Sequence, residues 1–293
     1  MKILFIGLGS AGMRHANLIY KHFPQYGLYA LRSGKSDNQL PFVADLNDWN
    51  QVKAIHPDIA FICSPTYRHV GDAYECADLG MDLFIEKPLD AVLDGIPALL
   101  SIVERKKLTA YIAYPFRFHE GILHIKGQDY QGEVEITCCT DVAQWGKQSY
   151  SFDRKKGGGV LLELSHEIDL AEFLFGKIVN IETIYLGHIG NRDIEDIAIL
   201  KAIHLNGRQT CLGLLFGYNT GIHCRSIRIG DNSFYYQATE EMYLDQLKYF
   251  FNNIDNPYLI NNIFEAAGLF QKIMEVQNGK TMSKVPNDCE LGV

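Results

Sequence analysis

The sequence predicts an α/β chain in two parts: a doubly wound parallel sheet over residues 1–118, then an α+β domain over residues 119–293 with a largely antiparallel open sheet. Three observations predict it. Strand-like and helix-like segments alternate up to about residue 118, the pattern of βαβ units. Beyond it, strand-like segments follow one another with few helices between them. The chain also opens on an apolar strand, Met1 to Ile6, that runs straight into Gly7-Leu8-Gly9-Ser10-Ala11-Gly12.

In the first part, Met13 to Phe23 reads as a helix and Leu28 to Leu31 as a short strand. Leu46, Trp49, Val52 and Ile55 stand at helical spacing, which predicts a helix over Leu46 to His56. Ile59 to Cys63 is continuously apolar, as a parallel strand buried on both faces requires. A helix from His69 to Leu79 stops at Gly80, a natural C-cap, and Asp82 to Ile85 is the next strand. A further helix reaches about Lys107, and Leu108 to Ala113 closes the series. In the second part, Glu133 to Thr140, Val179 to Leu186, Ile197 to Leu205, Thr210 to Phe216 and Ser226 to Ile229 read as strands. Two helical runs accompany them: Glu163 to Phe175, and Tyr243 to about Gln277 with a break near Pro257.

Composition narrows the partners. The 293 residues are 47% apolar and 21% charged, enough to fill two ordinary cores. A formal charge of −8 without any lysine or arginine block speaks against nucleic acid and anionic membranes, so a small-molecule partner is expected. The opening apolar run is too short for a signal peptide, and no segment approaches the length of a membrane span. The seven cysteines are scattered without a CxxC pair, which predicts reduced thiols and a cytoplasmic setting. None of the ten histidines stands in HxxxH or HExxH spacing, so no metal site is expected.

The glycine turn is the first chemical landmark. Gly7 permits the tight turn, Gly9 lets backbone approach a pyrophosphate, and Gly12 lets the following helix pack close. The helix start at Ser10 and Ala11 offers unpaired N–H groups to the anion. This predicts a Rossmann dinucleotide site. Cys63-Ser64-Pro65-Thr66, with His69 beyond, falls at the carboxyl end of a strand, where ligands of open α/β sheets bind; alone it reads better as a proline turn capping a helix. Glu86-Lys87-Pro88 follows another strand, and Pro88 biases Lys87 toward an extended conformation that points it into the site; an exposed surface lysine is the plainer alternative. A flexible triple glycine, Gly157-Gly158-Gly159, feeds a helix on which Glu163, His166 and Asp169 stand three apart and form one polar stripe. Tyr114-Pro115-Phe116-Arg117-Phe118-His119 ends the first part, where Arg117 is either a surface charge or a group that fixes an anionic substrate or orders the domain junction.

With these residues in view, the chain resembles the Gfo/Idh/MocA oxidoreductases, of the glucose–fructose oxidoreductase and inositol dehydrogenase type. The glycine turn, Ser-Pro-Thr…His, Glu-Lys-Pro, Tyr…Arg-Phe-His and the Gly-Gly-Gly…His…Asp helix occur in that family's order across nearly the whole chain. The resemblance implies an N-terminal Rossmann domain and a second domain whose sheet face mediates a homo-oligomer, a dimer or tetramer. It maps the family's cleft lysine onto Lys87 and its catalytic histidine onto His166, with Asp169 the third member, and it places the cofactor near Ser64, Pro65, His69 and Glu86. Many members carry an Asp four residues before the catalytic His; here Leu162 stands there and Glu163 lies three before.

The implied activity is hydride transfer between nicotinamide and a carbinol or carbonyl carbon of a sugar or cyclitol derivative, with Tyr114, Arg117, Tyr150, Arg154 and Glu163 as candidates to line the substrate pocket. Two alternatives stay open: a nucleotide-binding regulator or sensor without turnover, and a reductase of a non-sugar substrate. For the cofactor, NAD-binding Rossmann sheets carry an acid after the second strand. This chain has Leu31-Arg32-Ser33-Gly34-Lys35 there, so Arg32 and Ser33 predict NADP over NAD.

Overall fold

A computed structural model of the protein describes residues 1–32, 40–145, 149–189, 192–279 and 283–284. The chain divides into two compact units, Met1–Tyr114 with Tyr243–Gly268, and Pro115–Met242 with Leu269–Val293. The sequence reading put everything after residue 118 in the second domain. Tyr243–Gly268 instead pack with the first unit, and the reason lies at the edge of its sheet.

The first unit contains β1 (Lys2–Ile6), α1 (Ser10–His22), β2 (Gly27–Leu31), β3 (Ala44–Leu46), α2 (Trp49–Ile55), β4 (Ile59–Ile62), α3 (His69–Asp78), β5 (Asp82–Glu86), α4 (Ile96–Lys106) and β6 (Ala110–Ala113). The strands form one parallel sheet in the order β3-β2-β1-β4-β5-β6. The order reverses between β1 and β4, so the carboxyl ends of those two strands, at Gly7 and Cys63, flank the crevice where such sheets take ligands. Ile59 to Ile62 and Leu83 to Ile85 are fully buried, as continuous apolar runs require. The strand β3 was not expected. Asp48 accepts the Gln51 backbone N–H at 2.9 Å and Gln51 Oε1 accepts that of Asn47 at 2.8 Å; this reciprocal cap starts the helix at Trp49 and leaves Leu46 to the sheet.

The second unit contains α5 (Glu120–Lys126), β7 (Val134–Asp141), α6 (Val160–Glu163), α7 (Ser165–Phe175), β8 (Ile178–His188), β9 (Ile197–His204), β10 (Gln209–Gly217), β11 (His223–Ile229) and β12 (Asn232–Tyr235). After it come α8 (Glu240–Asn253), α9 (Pro257–Ile260), α10 (Ile263–Gly279) and β13 (Ser283–Lys284). The second sheet runs β12-β11-β7-β10-β9-β8-β13, antiparallel except for the pairs β7–β10 and β8–β13. Along β7 and β10, Ile136, Cys138, Leu212 and Leu214 are buried while Thr137, Cys139, Cys211 and Leu215 are half-buried. One face is therefore the core and the other is open.

The returning segment closes the first sheet. Among the described residues no strand pairs with the outer side of β6, and side-chain amides take that place. Asn262 Oδ1 accepts the Ile112 N–H at 2.7 Å and its Nδ2 donates to the Ile112 carbonyl at 2.9 Å. Asn261 serves Ala110 N–H at 2.6 Å and the Leu108 carbonyl at 3.0 Å in the same way. Phe250 and Phe251 fill the space over Phe61 and Phe84. Asn262→Leu leaves one buried N–H and one C=O without partners and is expected to cost roughly 2–4 kcal/mol in urea denaturation, with a co-operative transition retained.

Candidate functional site

In the first unit the glycine turn is built by close approach. Gly7 has φ +96°, and a Cβ on it would lie 2.7 Å from the Cys63 carbonyl oxygen. A Cβ on Gly12 would collide with the Gly7 carbonyl, whereas one on Gly9 would meet nothing within 4 Å. Gly7 and Gly12 are thus glycines because protein fills the space, and Gly9 because the space is open. No side chain caps α1, so the N–H groups of its first turn, at Ser10 and Ala11, face that opening unpartnered by a cap. An anion-accepting cradle of this form fits a dinucleotide pyrophosphate.

Two histidines join the other motifs to this turn. His69, buried at the start of α3, places Nδ1 2.8 Å from the Pro88 carbonyl and Nε2 2.7 Å from the Ser64 carbonyl. It holds the Ser-Pro-Thr loop against the Glu-Lys-Pro loop, and both ring nitrogens are used in doing so. Pro65, at φ −58°, leads the loop into a single helical turn, Thr66–Arg68, and Ser64 is buried. His15, fully buried on α1, has Nε2 2.7 Å from Glu86 Oε1. Burial pushes the Glu86 carboxyl up, but the hydrogen bond and charge of His15, with Lys87 and Arg14, outweigh it and hold the group below its ordinary range. Lys87 follows directly, at the carboxyl end of β5, and buried Tyr114 closes the unit.

Arg32 stands at the end of β2. Its Nη1 lies 3.2 Å and 3.5 Å from the two carboxylate oxygens of Asp45 on β3. Ser33 and Lys35 fall outside the described residues.

In the second unit the triple glycine is tightly packed, against the flexibility read from its sequence. Gly157 adopts φ +89° and Gly159 φ +108°; a Cβ on Gly158 would strike the Ser151 carbonyl, and one on Gly159 the Glu195 carboxylate. Glu195 is fully buried. Arg154 binds it at 2.9 Å and reaches the Asp193 carbonyl at 3.0 Å, and Gln277 donates to it at 3.2 Å. Burial pushes the Glu195 carboxyl up, and the Arg154 charge opposes that. Arg154, read as a pocket residue, therefore anchors the glycine loop, while Tyr150 is exposed on a one-turn helix, Tyr150–Phe152.

The continuous helix expected from Glu163 is broken at Leu164 (φ −102°, ψ 27°), so Glu163 ends α6 and His166 is the second residue of α7. The expected stripe keeps only its second pair on one helix. His166 is half-buried with the Phe116 ring edge-on at 5.2 Å. Asp169 is buried and receives both Nε (2.9 Å) and Nη2 of Arg117. That bidentate pair ties the Pro115–Phe118 turn to α7. On the opposite side, fully buried Glu167 accepts from Arg225 Nε at 2.8 Å, and the Arg225 guanidinium lies 5.0 Å from the Phe116 ring centre. Charge pairs on both sides of His166 thus fix its helix.

Sequence reasoning missed His15, Glu195 and the Glu167–Arg225 pair. His15 sits on the buried face of α1, where it reads as core, and its partner is 71 residues away. No group of three or more histidine, cysteine or carboxylate side chains that could hold a metal occurs among the described residues. No described helix is long and apolar enough to cross a membrane.

A six-stranded parallel sheet in this order, with a glycine turn at its switch point, defines a Rossmann-type α/β protein. Residues 1–114 match the Gfo/Idh/MocA model, described as an oxidoreductase family with an NAD-binding Rossmann fold. An uncharacterized oxidoreductase, YrbE, of Bacillus subtilis (strain 168) is 27% identical over 187 residues, 59% of this chain and 53% of its own length. Inositol 2-dehydrogenase of Rhizobium meliloti (strain 1021) is 25% identical over 122 residues, 41% of this chain and 37% of its own. The chain spans about half the length of the first curated relatives it matches. Among solved structures, the WlbA dehydrogenase of Thermus thermophilus, in complex with NAD and UDP-GlcNAcA, superposes with TM-score 0.77 at 18% identity over 98% of this chain and 97% of that one. D-galactose-1-dehydrogenase of Rhizobium etli gives TM-score 0.80 at 14% identity over 97% and 96%. These structures share the fold along the chain.

Two outcomes test the geometry. Gly12→Ala is expected to lower stability by about 1–3 kcal/mol, whereas Gly9→Ala stays within about 0.5 kcal/mol of the parent in urea yet weakens dinucleotide binding by calorimetry. Arg117→Met leaves Asp169 buried without its cation and should cost roughly 3 kcal/mol, part of which the double change with Asp169→Leu restores.

Proposed function

We propose that the protein is an NAD(P)-dependent oxidoreductase that moves a hydride between nicotinamide and a carbinol or carbonyl carbon of a sugar or cyclitol derivative. The observation that carries this reading is the placement of Lys87: the Glu-Lys-Pro loop is held by His69 to the Ser64 loop and by His15 to the glycine-turn helix. A lysine so anchored at the carboxyl end of a Rossmann strand is poorly explained as a surface charge. The substrate class rests on the relatives, whose names point to inositol, galactose and a nucleotide-linked sugar acid.

When bound, the nicotinamide supplies the hydride acceptor or donor at C4. His166 takes the hydroxyl proton in oxidation and returns it in reduction. Lys87 donates to the oxygen as it acquires alkoxide character and positions the hydroxyl. Asp169, tied to Arg117, acts by orienting the helix that carries His166. The backbone at Gly7, Gly9, Ser10, Ala11 and Gly12 holds the pyrophosphate, with Ser64 and Pro65 shaping the neighbouring loop. Glu86 and His69 serve the cofactor by fixing that loop and Lys87. Tyr114 in the first unit, and Tyr150 and Glu163 in the second, are assigned to substrate binding, with Arg117 and Arg154 in supporting ion pairs. Arg32, followed in the sequence by Ser33, favours NADP.

The open face of the second sheet, with half-buried Cys139, Cys211 and Leu215, suits a homo-oligomer. Free thiols at every described cysteine agree with a cytoplasmic setting.

Phosphorylated, acetamido and nucleotide-linked sugars, screened with NADP and NAD in parallel, are expected to give turnover with NADP ahead. Lys87→Ala and His166→Ala should then lose about 10²–10⁴-fold in kcat while dinucleotide binding persists. Near-normal turnover in either variant removes that residue from the chemistry. Tight dinucleotide binding with no absorbance change across the panel overturns the enzyme reading in favour of a sensor.

A further inference from the structure

The carboxyl end of β2 is where a Rossmann sheet meets the adenosine ribose, and the residue there decides whether a 2′-phosphate is welcome. Arg32 occupies that position with its backbone N–H donated to the Leu46 carbonyl at 3.2 Å, which locks it beside β3. In the register of the two strands Asp45 stands opposite Ala30, on the side to which Arg32 also points, two residues on. The Arg32 side chain is mostly covered, and Asp45 is the more open of the two, at 41% exposure. Its two oxygens sit 3.2 Å and 3.5 Å from one guanidinium nitrogen.

We infer that Asp45 is a specificity-determining residue that restrains the NADP preference conferred by Arg32 and so keeps NAD usable. Asp45, an acid on the third strand, faces the arginine that directly follows the second. Two effects of Asp45 have the same sign. Its carboxylate competes with a 2′-phosphate for the guanidinium donors, and it repels the phosphate dianion directly. Neither effect touches a dinucleotide with a free 2′-hydroxyl to the same degree, so the consequence is a ratio between cofactors.

This inference rests on Arg32 as the phosphate-reading residue, and the experiment separates the two. Dissociation constants for NADP+, NAD+, 2′,5′-ADP and 5′-AMP are measured by calorimetry on the parent, Asp45→Asn, Arg32→Ala and the double variant. Asp45→Asn keeps size and an acceptor oxygen and removes only the charge. It is expected to tighten NADP+ and 2′,5′-ADP at least about fivefold while NAD+ and 5′-AMP change less than about twofold. The gain should shrink with added salt and disappear in the Arg32→Ala background. Unchanged or weaker NADP+ binding in Asp45→Asn, with Arg32→Ala still lowering NADP+ relative to NAD+, overturns the role of Asp45 and leaves that of Arg32 intact. A gain that persists without Arg32 also overturns the inference. Failure of Arg32→Ala to change the NADP+ to NAD+ ratio sinks the Arg32 reading itself. Asp45→Ala serves as a second variant, its fold checked by unchanged NAD+ affinity.

Discussion

The first unit depends on how closely one helix can approach two strands. With no side chain on Gly7 or Gly12, the start of α1 sits against the backbone of β1 and the Cys63 carbonyl at the end of β4. That contact puts the uncapped N–H groups of α1 at the place where the strand order turns round. A single Cβ at either position would push the helix start away, because backbone rather than a yielding side chain lies on the other side. Everything read as cofactor chemistry, from the open space at Gly9 to the neighbouring Ser64 loop, takes its position from that approach.

A second layer of order comes from buried polar side chains that join distant parts of one unit. His69 links two loops that each follow a different strand, and His15 links α1 to Glu86. In the second unit, Arg117–Asp169 and Arg225–Glu167 hold α7 from two sides, and Arg154–Glu195 holds the loop before α6. Burying such groups is costly unless each is matched, so the pairs specify geometry more than they add stability. In each unit these groups act as scaffolding, around Lys87 in the first and around His166 in the second.

What could be read from the sequence follows from how local each signal is. The glycine turn, the Glu-Lys-Pro tripeptide and the His166–Asp169 spacing each lie within a dozen residues, so a reading of the sequence can single them out as candidates. Continuous apolar strands such as Ile59 to Ile62 were legible as a buried parallel sheet. The break at Leu164 was not, because an apolar residue between Glu163 and Ser165 carries no helix-ending signal and the interruption follows the tight packing of Gly158 and Gly159 before it. Arg154 looked like a pocket residue because its partner Glu195 is 41 positions away. The strand β3 was hidden for a subtler reason: Leu46 fits the helical period, and only the Asp48 cap fixes where the helix begins.

Asn261 and Asn262 stand in for a missing strand along β6, and they come from the far end of the chain. The dinucleotide unit is therefore discontinuous in sequence. A ribosome making this protein delivers β1 through β6 first, and the outer edge of β6 then waits through about 150 further residues of synthesis for the amides that cover it. Until they arrive the nascent sheet has a row of unanswered backbone groups at its border, which is the surface a chaperone or a second nascent chain would meet. The order of manufacture and the order of assembly differ in this protein, and its first sheet gains its outer border only when Asn261 and Asn262 have been made.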